Sequence, residues 1–337
     1  MSIAAGTHAL DLAVSNPVVV TVVRYVELAG IPISRATIYA AFAAHAAFPA
    51  LRLAEVQEQF DRWGIPSAAF RTEAAELPAM PVPVIASMGG EGGDGATLVV
   101  VRFWGRDRID IVHPGWGNMR LSWPAFLDRW TGILFAAIAR EAPPEPDLAR
   151  KAAAERRAAR TYRASIRFIE AFVPPDRCAA IIAHCERLQL FARSPVERHG
   201  DPRRRQTVSS LRTSSSALIA DRAGPLFADL YQRITGTLGV DPTRIEDIQC
   251  VRYDPGERFG IHVDGRDRKQ TLLLYLNADF EGGGTIFPDL DLVVAPKTGA
   301  ALLFDNLDAA GRVIPWSRHA GLAPRGGRKY ACNIWIM

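Results

Sequence analysis

The sequence predicts an α+β chain of two domains, the second a jelly roll or barrel with flanking helices, and three observations lead there. A length of 337 residues exceeds what one hydrophobic core holds, since single cores stop growing near roughly 250–300 residues. Glu141-Ala142-Pro143-Pro144-Glu145-Pro146 is Pro-rich and polar, the composition of a linker. Before it the pattern reads as helices and then a short sheet; after it come many short strands broken by Gly and Pro. The expected limits are an α+β domain at 1–140, a linker with a charged helix at 141–163, and the second domain at 164–337.

Taken in order, Val18–Leu28, Arg35–Leu53 and Leu53–Trp63 are expected as helices, the last from the spacing of Val56, Phe60 and Trp63. Pro81–Ile85 and Ala96–Phe103 read as strands around the Gly-rich turn Gly89–Gly95, and Arg108–Val112 as a third. Ser122 is the expected N-cap of a helix whose first turn holds Pro124. Leu148–Arg160 reads as the charged helix. In the second domain, helices are expected around Asp176–Leu190 and Pro225–Gly239. Strands are expected at Ile248–Tyr253, Gln270–Asn277, Thr285–Phe287, Leu292–Val294, Ala300–Leu303 and Lys329–Ile336.

Apolar residues at 48% and charged residues at 23% are ordinary for globular chains and supply a sizeable core in each half. Forty basic against 36 acidic residues leave only +4, and the basic excess clusters in Arg150–Arg163 and Arg198–Arg205, which read as a solvated helix and a loop. This balance does not call for a nucleic-acid partner. Cys178, Cys185, Cys250 and Cys332 form neither a C-x-x-C pair nor a zinc-finger spacing, so a reducing cytoplasm is the expected location. The apolar run Val18–Val23 is too short to span a bilayer, and no membrane association is expected.

Chemistry concentrates in the second half. His262-Val263-Asp264 reads as a strand end, where residues i and i+2 face one side, so an imidazole and a carboxylate can bind one ion. His319, beyond several expected strands, is the candidate third ligand. Two His and one carboxylate on one face of Fe(II) leave positions open for a bidentate keto acid and O2. A His-x-Asp by itself is common in surface loops, and the surrounding residues decide its meaning.

The run Tyr253-Asp254-Pro255-Gly256-Glu257-Arg258-Phe259-Gly260-Ile261-His262-Val263-Asp264 resembles the prolyl 4-hydroxylase-like group of Fe(II)/2-oxoglutarate dioxygenases. Matches continue in the family's order through Thr271–Asn277, Gly282–Pro288, Pro296–Phe304, His319 and Gly327–Trp335, with weaker ones at Val208–Ser216, so the resemblance covers residues 165–337. It implies a double-stranded β-helix with His262, Asp264 and His319 on Fe(II). It also implies that Lys329, on the last core strand, pairs with the distal carboxylate of 2-oxoglutarate. Trp335 stands six residues on, where the family expects it. Tyr253 and Tyr275 match tyrosines lining the cosubstrate pocket, with a role as core aromatics equally open. Arg328 is the adjacent rival of Lys329, and strand alternation lets only one of the two point inward.

The implied reaction consumes 2-oxoglutarate and O2, releases succinate and CO2 and hydroxylates a C–H bond, with ascorbate as auxiliary reductant. A peptidyl, prolyl-like substrate is expected. Open beside it are a free amino acid or small molecule, and a non-catalytic cupin-like module that binds iron and 2-oxoglutarate. Nucleic-acid demethylases of the superfamily use Arg for the cosubstrate and again six positions later, where this chain has Lys329 and Trp335. Arg193–Ser210 sits where relatives carry a mobile loop and is a candidate substrate lid, with a disordered surface loop as an equal alternative.

Residues 10–138 resemble the papain-like peptidase domain that trims double-glycine leaders in bacteriocin exporters, through the helix Asn16–Gly30, strand Thr97–Phe103, Ile111–Gly117 and Ser122–Gly132. At the positions of that family's Cys, His and Asp stand Asn16, Thr97 and His113, and no Cys precedes Cys178, which excludes thiol catalysis there. The resemblance implies an inactive peptidase fold that recruits a peptide substrate; a scaffold role is the alternative.

Overall fold

The computed structural model describes residues 3–89, 96–138, 141–197, 206–220, 222, 224–265 and 267–337. It divides into two compact units, Met1–Arg157 and Ala158–Met337.

The first unit begins with α1 (Ile3–Ser15), α2 (Pro17–Ala29), α3 (Arg35–Ala43) and α4 (Leu53–Arg62). The Val-rich α2 is a poor helix by propensity, because β-branched side chains lose rotamer freedom. Its ends and its burial hold it. Asn16 accepts from the backbone N–H of Val18 and Val19, Pro17 occupies the first turn, and Gly30 closes the helix at φ 67°. Val19, Val22, Val23 and Val26 are buried, Thr21 Oγ1 donates to Leu98 O at 2.9 Å, and Tyr25 meets Phe135 edge-on at 5.8 Å. The sheet under it comprises β1 (Ser67–Arg71), β2 (Val84–Met88), β3 (Thr97–Trp104), β4 (Ile109–His113), β5 (Gly117–Leu121) and β6 (Trp130–Ala137), all antiparallel in the order β1-β6-β2-β3-β4-β5. The short α5 (Trp123–Leu127) leads into β6.

One expectation is corrected here. Arg35–Leu53 is not one helix: α3 stops at Ala43, the segment contains Pro49, and the His45 ring turns back to accept from Ala47 N at 3.2 Å. The helix expected after Ser122 is α5, with Ser122 Oγ accepting from Ala125 N and Pro124 in the first turn, and Trp130-Thr131-Gly132 opens a strand. The sequence reading also omits α1, β1, β5 and β6; β6 lacks the clean alternation that marks a half-buried strand, whereas β5 alternates but spans only five residues. Of the turn Gly89–Gly95, residues 90–95 lie outside the described residues.

The charged helix α6 (Leu148–Ser165) runs past the expected Arg160, and the unit boundary falls within it. It carries the Arg150–Arg163 cluster; the Arg198–Arg205 cluster lies outside the described residues. After it come β7 (Arg167–Ile169), α7 (Pro175–Arg187), β8 (Ala192–Arg193), β9 (Val196–Glu197), β10 (Gln206–Thr207), β11 (Ser215–Ile219) and α8 (Pro225–Leu238). The core strands are β12 (Ile248–Tyr253), β13 (Phe259–His262), β14 (Gln270–Tyr275), β15 (Glu281–Gly282), β16 (Thr285–Phe287), β17 (Leu292–Val294), β18 (Ala301–Asp305), β19 (His319–Gly321), β20 (Pro324–Arg325) and β21 (Lys329–Ile336).

A seven-stranded sheet has the order β7-β18-β14-β21-β12-β11-β8, and a four-stranded sheet the order β13-β19-β16-β17. From β12 onward the chain passes back and forth: β12, β14, β18 and β21 lie in the large sheet, and β13, β16, β17 and β19 in the small one. That alternation of antiparallel strands is a double-stranded β-helix. On the large sheet's outer face, Ile181 of α7 and Phe227, Leu230 and Ile234 of α8 share a core with Cys250, Leu274 and Cys332. Tyr275, Phe287, Leu302 and Phe304 form a second core with Tyr162 of α6, whose hydroxyl donates to Asp305 O at 2.7 Å. All four cysteines are buried and free. Among the described residues no single helix is long and apolar enough to cross a membrane; His8–Ser15 and Pro17–Ala29 reach that composition only as a pair bent by 66°.

Candidate metal centre

Strand pairing brings the ligands together. His262 ends β13, His319 begins β19, and the two are direct cross-strand partners with ring centroids 4.3 Å apart. Asp264 follows two residues after His262. The ligand atoms of His262, Asp264 and His319 lie within 4.8 Å of one another, the one such His/Cys/Asp/Glu group among the described residues. His262 Nε2 is 3.3 Å from Asp264 Oδ1, and His319 Nε2 is 3.6 Å from Asp264 Oδ2.

The tautomers follow from the backbone. His262 Nδ1 lies 2.8 Å from Gly260 O and His319 Nδ1 lies 2.9 Å from Ser317 O, so each ring donates its Nδ1 proton to a carbonyl and leaves the Nε2 lone pair bare. Two lone pairs and a carboxylate then face one another. Three acceptors at such range repel unless a cation sits among them, and the donor set of two imidazoles and one carboxylate suits Fe(II).

Burial pushes the His319 imidazole down to about 4, against the pull of Asp264, so it is neutral at pH 7 and ready to ligate. Burial opposes ionisation of Asp264, while the Thr271 hydroxyl bonded to Oδ2 favours it and helps to hold the carboxyl below its ordinary range. Phe259 stacks on His262 at 3.6 Å, and Phe304 meets His319 at 4.8 Å, which fixes both rings. Next to His319, Arg318 donates to Asp289 at 3.2 Å in a pair with almost no solvent exposure, tying β19 to the β16–β17 turn.

Lys329 is the second unusual group. It is 2% exposed, and its Nζ donates to Gly283 O at 2.7 Å beneath Tyr253 and Tyr275, whose rings lie 5.0 Å and 5.8 Å away. Burial pushes this ammonium down to about 7. Gly283 adopts φ +62°, and a Cβ there would strike the Phe280 ring, so only glycine offers that carbonyl to the lysine. Arg328 instead points outward and donates to Asp254 at 2.6 Å. Tyr275 shares a buried hydrogen bond with Thr285 at 2.8 Å, and Tyr253 pairs across strands with Lys329. Burial raises both phenols above their usual range.

Sequence reasoning missed Arg212, 4% exposed, which stacks at 4.6 Å on the Phe259 ring that covers His262. Its hydrogen-bond partners, Ser214, Pro195 O and Gln249, are all neutral. It missed Thr271 and Asn306 behind Asp264 as well. Arg212 and Thr271 fall inside the motif matches, so the signal was present. Of the proposed lid Arg193–Ser210, only its base is described, a ribbon of β9 and β10; residues 198–205 lie outside.

In the first unit, the residues at peptidase positions have structural occupations. Asn16 caps α2 and donates to Pro49 O at 2.9 Å, Thr97 pairs with Met88, and His113 Nδ1 accepts from Gly115 N at 3.0 Å.

Residues 248–337 match the family model described as the 2OG-Fe(II) oxygenase superfamily. A protein of Acanthamoeba polyphaga mimivirus provisionally named prolyl 4-hydroxylase is 32% identical over 146 residues, covering 39% of this chain and 60% of that protein. Prolyl 4-hydroxylase 2 of Arabidopsis thaliana is 27% identical over 186 residues, covering 45% and 62%. The chain thus spans about 60% of the length of these relatives. Among solved structures, the viral collagen prolyl hydroxylase of Paramecium Bursaria Chlorella virus-1 aligns with a TM-score of 0.42 and 25% identity over 51% of this chain and 94% of that one. The C-terminal region of this chain is a prolyl 4-hydroxylase-like 2OG-Fe(II) oxygenase domain, of a family that uses Fe(II), 2-oxoglutarate and O2.

Proposed function

We propose that this chain is a 2-oxoglutarate-dependent dioxygenase that hydroxylates a C–H bond of a peptidyl, prolyl-like substrate. The observation that carries the reading is the convergence of His262 Nε2, His319 Nε2 and the Asp264 carboxylate, with both Nδ1 protons committed to the backbone. When bound, Fe(II) with 2-oxoglutarate and O2 supplies the oxidising power for C–H hydroxylation, with succinate and CO2 as coproducts.

The side chains of this protein do the rest. His262, Asp264 and His319 hold the metal on one face, and Phe259 and Phe304 keep the imidazoles from rotating. Lys329 takes the distal carboxylate of the keto acid, a charge-assisted contact that offsets the dehydration of both partners. Tyr253 and Tyr275 wall that pocket and exclude water. Arg212, a buried cation lined by neutral partners, offers its charge toward an acceptor on the substrate, such as a peptide carbonyl. The names of the relatives support a peptide substrate, and its recruitment by the N-terminal unit is part of the proposal, with a scaffold role as the alternative.

The test is mass spectrometry of proline-containing peptides and of free proline after incubation with the protein, Fe(II), 2-oxoglutarate and ascorbate. A gain of one oxygen on the peptides supports the proposal. A gain on free proline alone reassigns the substrate to small molecules. For recruitment, a photo-crosslinking peptide should label the N-terminal unit of the full chain, and labelling confined to the C-terminal unit would remove that role.

A further inference from the structure

We infer that Thr271 and Asn306 are positioning residues that make Asp264 a one-oxygen metal ligand, an inference that rests on the metal-centre reading above. Thr271 Oγ1 donates to Asp264 Oδ2 at 2.6 Å, and Asn306 Nδ2 donates to the same hydroxyl oxygen at 2.8 Å. A hydroxyl has one proton. The Asn306 amide nitrogen is a donor and cannot accept that proton, so of the two partners only the Asp264 carboxylate can take it. The three side chains are buried, with Thr271 and Asn306 at 2% and 1% exposure, so water does not compete.

The relay is held rigidly. Thr271 sits in β14 between Phe304 and Trp335 on its two neighbouring strands. Asn306 donates its backbone N–H to Lys269 O at 2.7 Å, and its carbonyl accepts from Ile314 N at 2.9 Å. The Asn306 Oδ1 atom is buried without a hydrogen-bond partner, so this amide orientation is not set by satisfying its oxygen. The flipped amide would put that oxygen against Thr271 and draw the hydroxyl proton away from Asp264. Both carboxylate oxygens face an imidazole, Oδ1 at 3.3 Å from His262 Nε2 and Oδ2 at 3.6 Å from His319 Nε2; with Oδ2 engaged by Thr271, Oδ1 is the oxygen left for the metal. A carboxylate that binds through one oxygen keeps coordination positions open for the keto acid and O2.

Cobalt(II) titration of the full-length apoprotein, followed by calorimetry and visible absorption, tests this without turnover. Thr271→Val should weaken Co(II) binding by about 10–100-fold and alter the d–d spectrum, with Thr271→Ser restoring both. Asn306→Leu leaves the hydroxyl in place but undirected; it should weaken binding less and add nothing in a Thr271→Val background, because it acts through Thr271. His262→Ala serves as the reference and should lose the site. If His262→Ala loses Co(II) while Thr271→Val and Asn306→Leu keep wild-type affinity and spectrum, the positioning role is overturned and the metal centre stands. Should Thr271→Val fail to fold, Asn306→Leu decides alone. Equal binding by wild type and His262→Ala overturns both readings.

Discussion

In the N-terminal unit, Asn16, Ser34 and Thr21 close hydrogen bonds that the backbone leaves open, whereas at the metal centre of the C-terminal unit buried groups face one another as acceptors or stand as a cation without an anion. Asn16 and Ser34 cap helices, and Thr21 reaches a strand carbonyl. Each of these is accounted for by local architecture. Around β13, β19 and β21 the accounting stays open: two imidazole lone pairs meet a carboxylate, and Lys329 has only a carbonyl and two rings. Buried polar groups are normally satisfied, so acceptors converging on one point, as around His262, Asp264 and His319, mark residues kept for a ligand.

The largest effect that could break this comparison is loss of a ligand. His319→Ala should reduce succinate formation to background while the C-terminal unit still folds, as read by circular dichroism; retained turnover would show that its lone pair serves no metal. Next comes the buried ion pair. Asp289→Ala leaves the Arg318 charge stranded beside His319 and should destabilise the C-terminal unit by about 3–5 kcal/mol in urea unfolding, with the N-terminal unit unchanged.

Lys329 sharpens the contrast. Lys329→Met should weaken 2-oxoglutarate binding by about 2–5 kcal/mol, by titration calorimetry, because one partner of a buried charge pair is gone. The same substitution should raise thermal stability at pH 7. The unfolded lysine keeps its proton up to its ordinary value while the folded one sheds it near 7, so wild-type stability rises with pH from about 7 to about 10.5 and the Met variant lacks that slope. Binding of a carboxylate restores the proton. Wild-type affinity for 2-oxoglutarate should therefore be full below pH 7 and fall by up to about tenfold per pH unit above it, with Lys329→Arg showing no such fall. The smallest effect belongs to the first unit: Asn16→Ala should cost about 0.5–2 kcal/mol of its stability and leave metal binding untouched.

The sequence made the site more legible than the fold around it. His262 and Asp264 are read from i, i+2 spacing, and strand alternation sets Lys329 against Arg328 before any coordinates, because both rules are local. The choice between those two, and the match of His319, needed the family pattern. The tautomers, the Thr271–Asn306 relay and the Arg318–Asp289 pair could not be read locally: each depends on which strands become neighbours, as when β14 is set between β18 and β21. In the first unit, α2 is legible from its caps, but β6 is not, since its burial is decided by the sheet it joins. The apolar segment Arg35–Leu53 misleads for the same reason, its composition favouring a helix that Pro49 and the turn at His45 end early.

The most direct test of the central claim is an anaerobic Fe(II) titration followed by aerobic succinate release from 2-oxoglutarate, comparing wild type with His262→Ala and Asp264→Ala. The account predicts one Fe(II) per wild-type chain with succinate formed, and neither in the variants. Equal succinate release by all three proteins would contradict it.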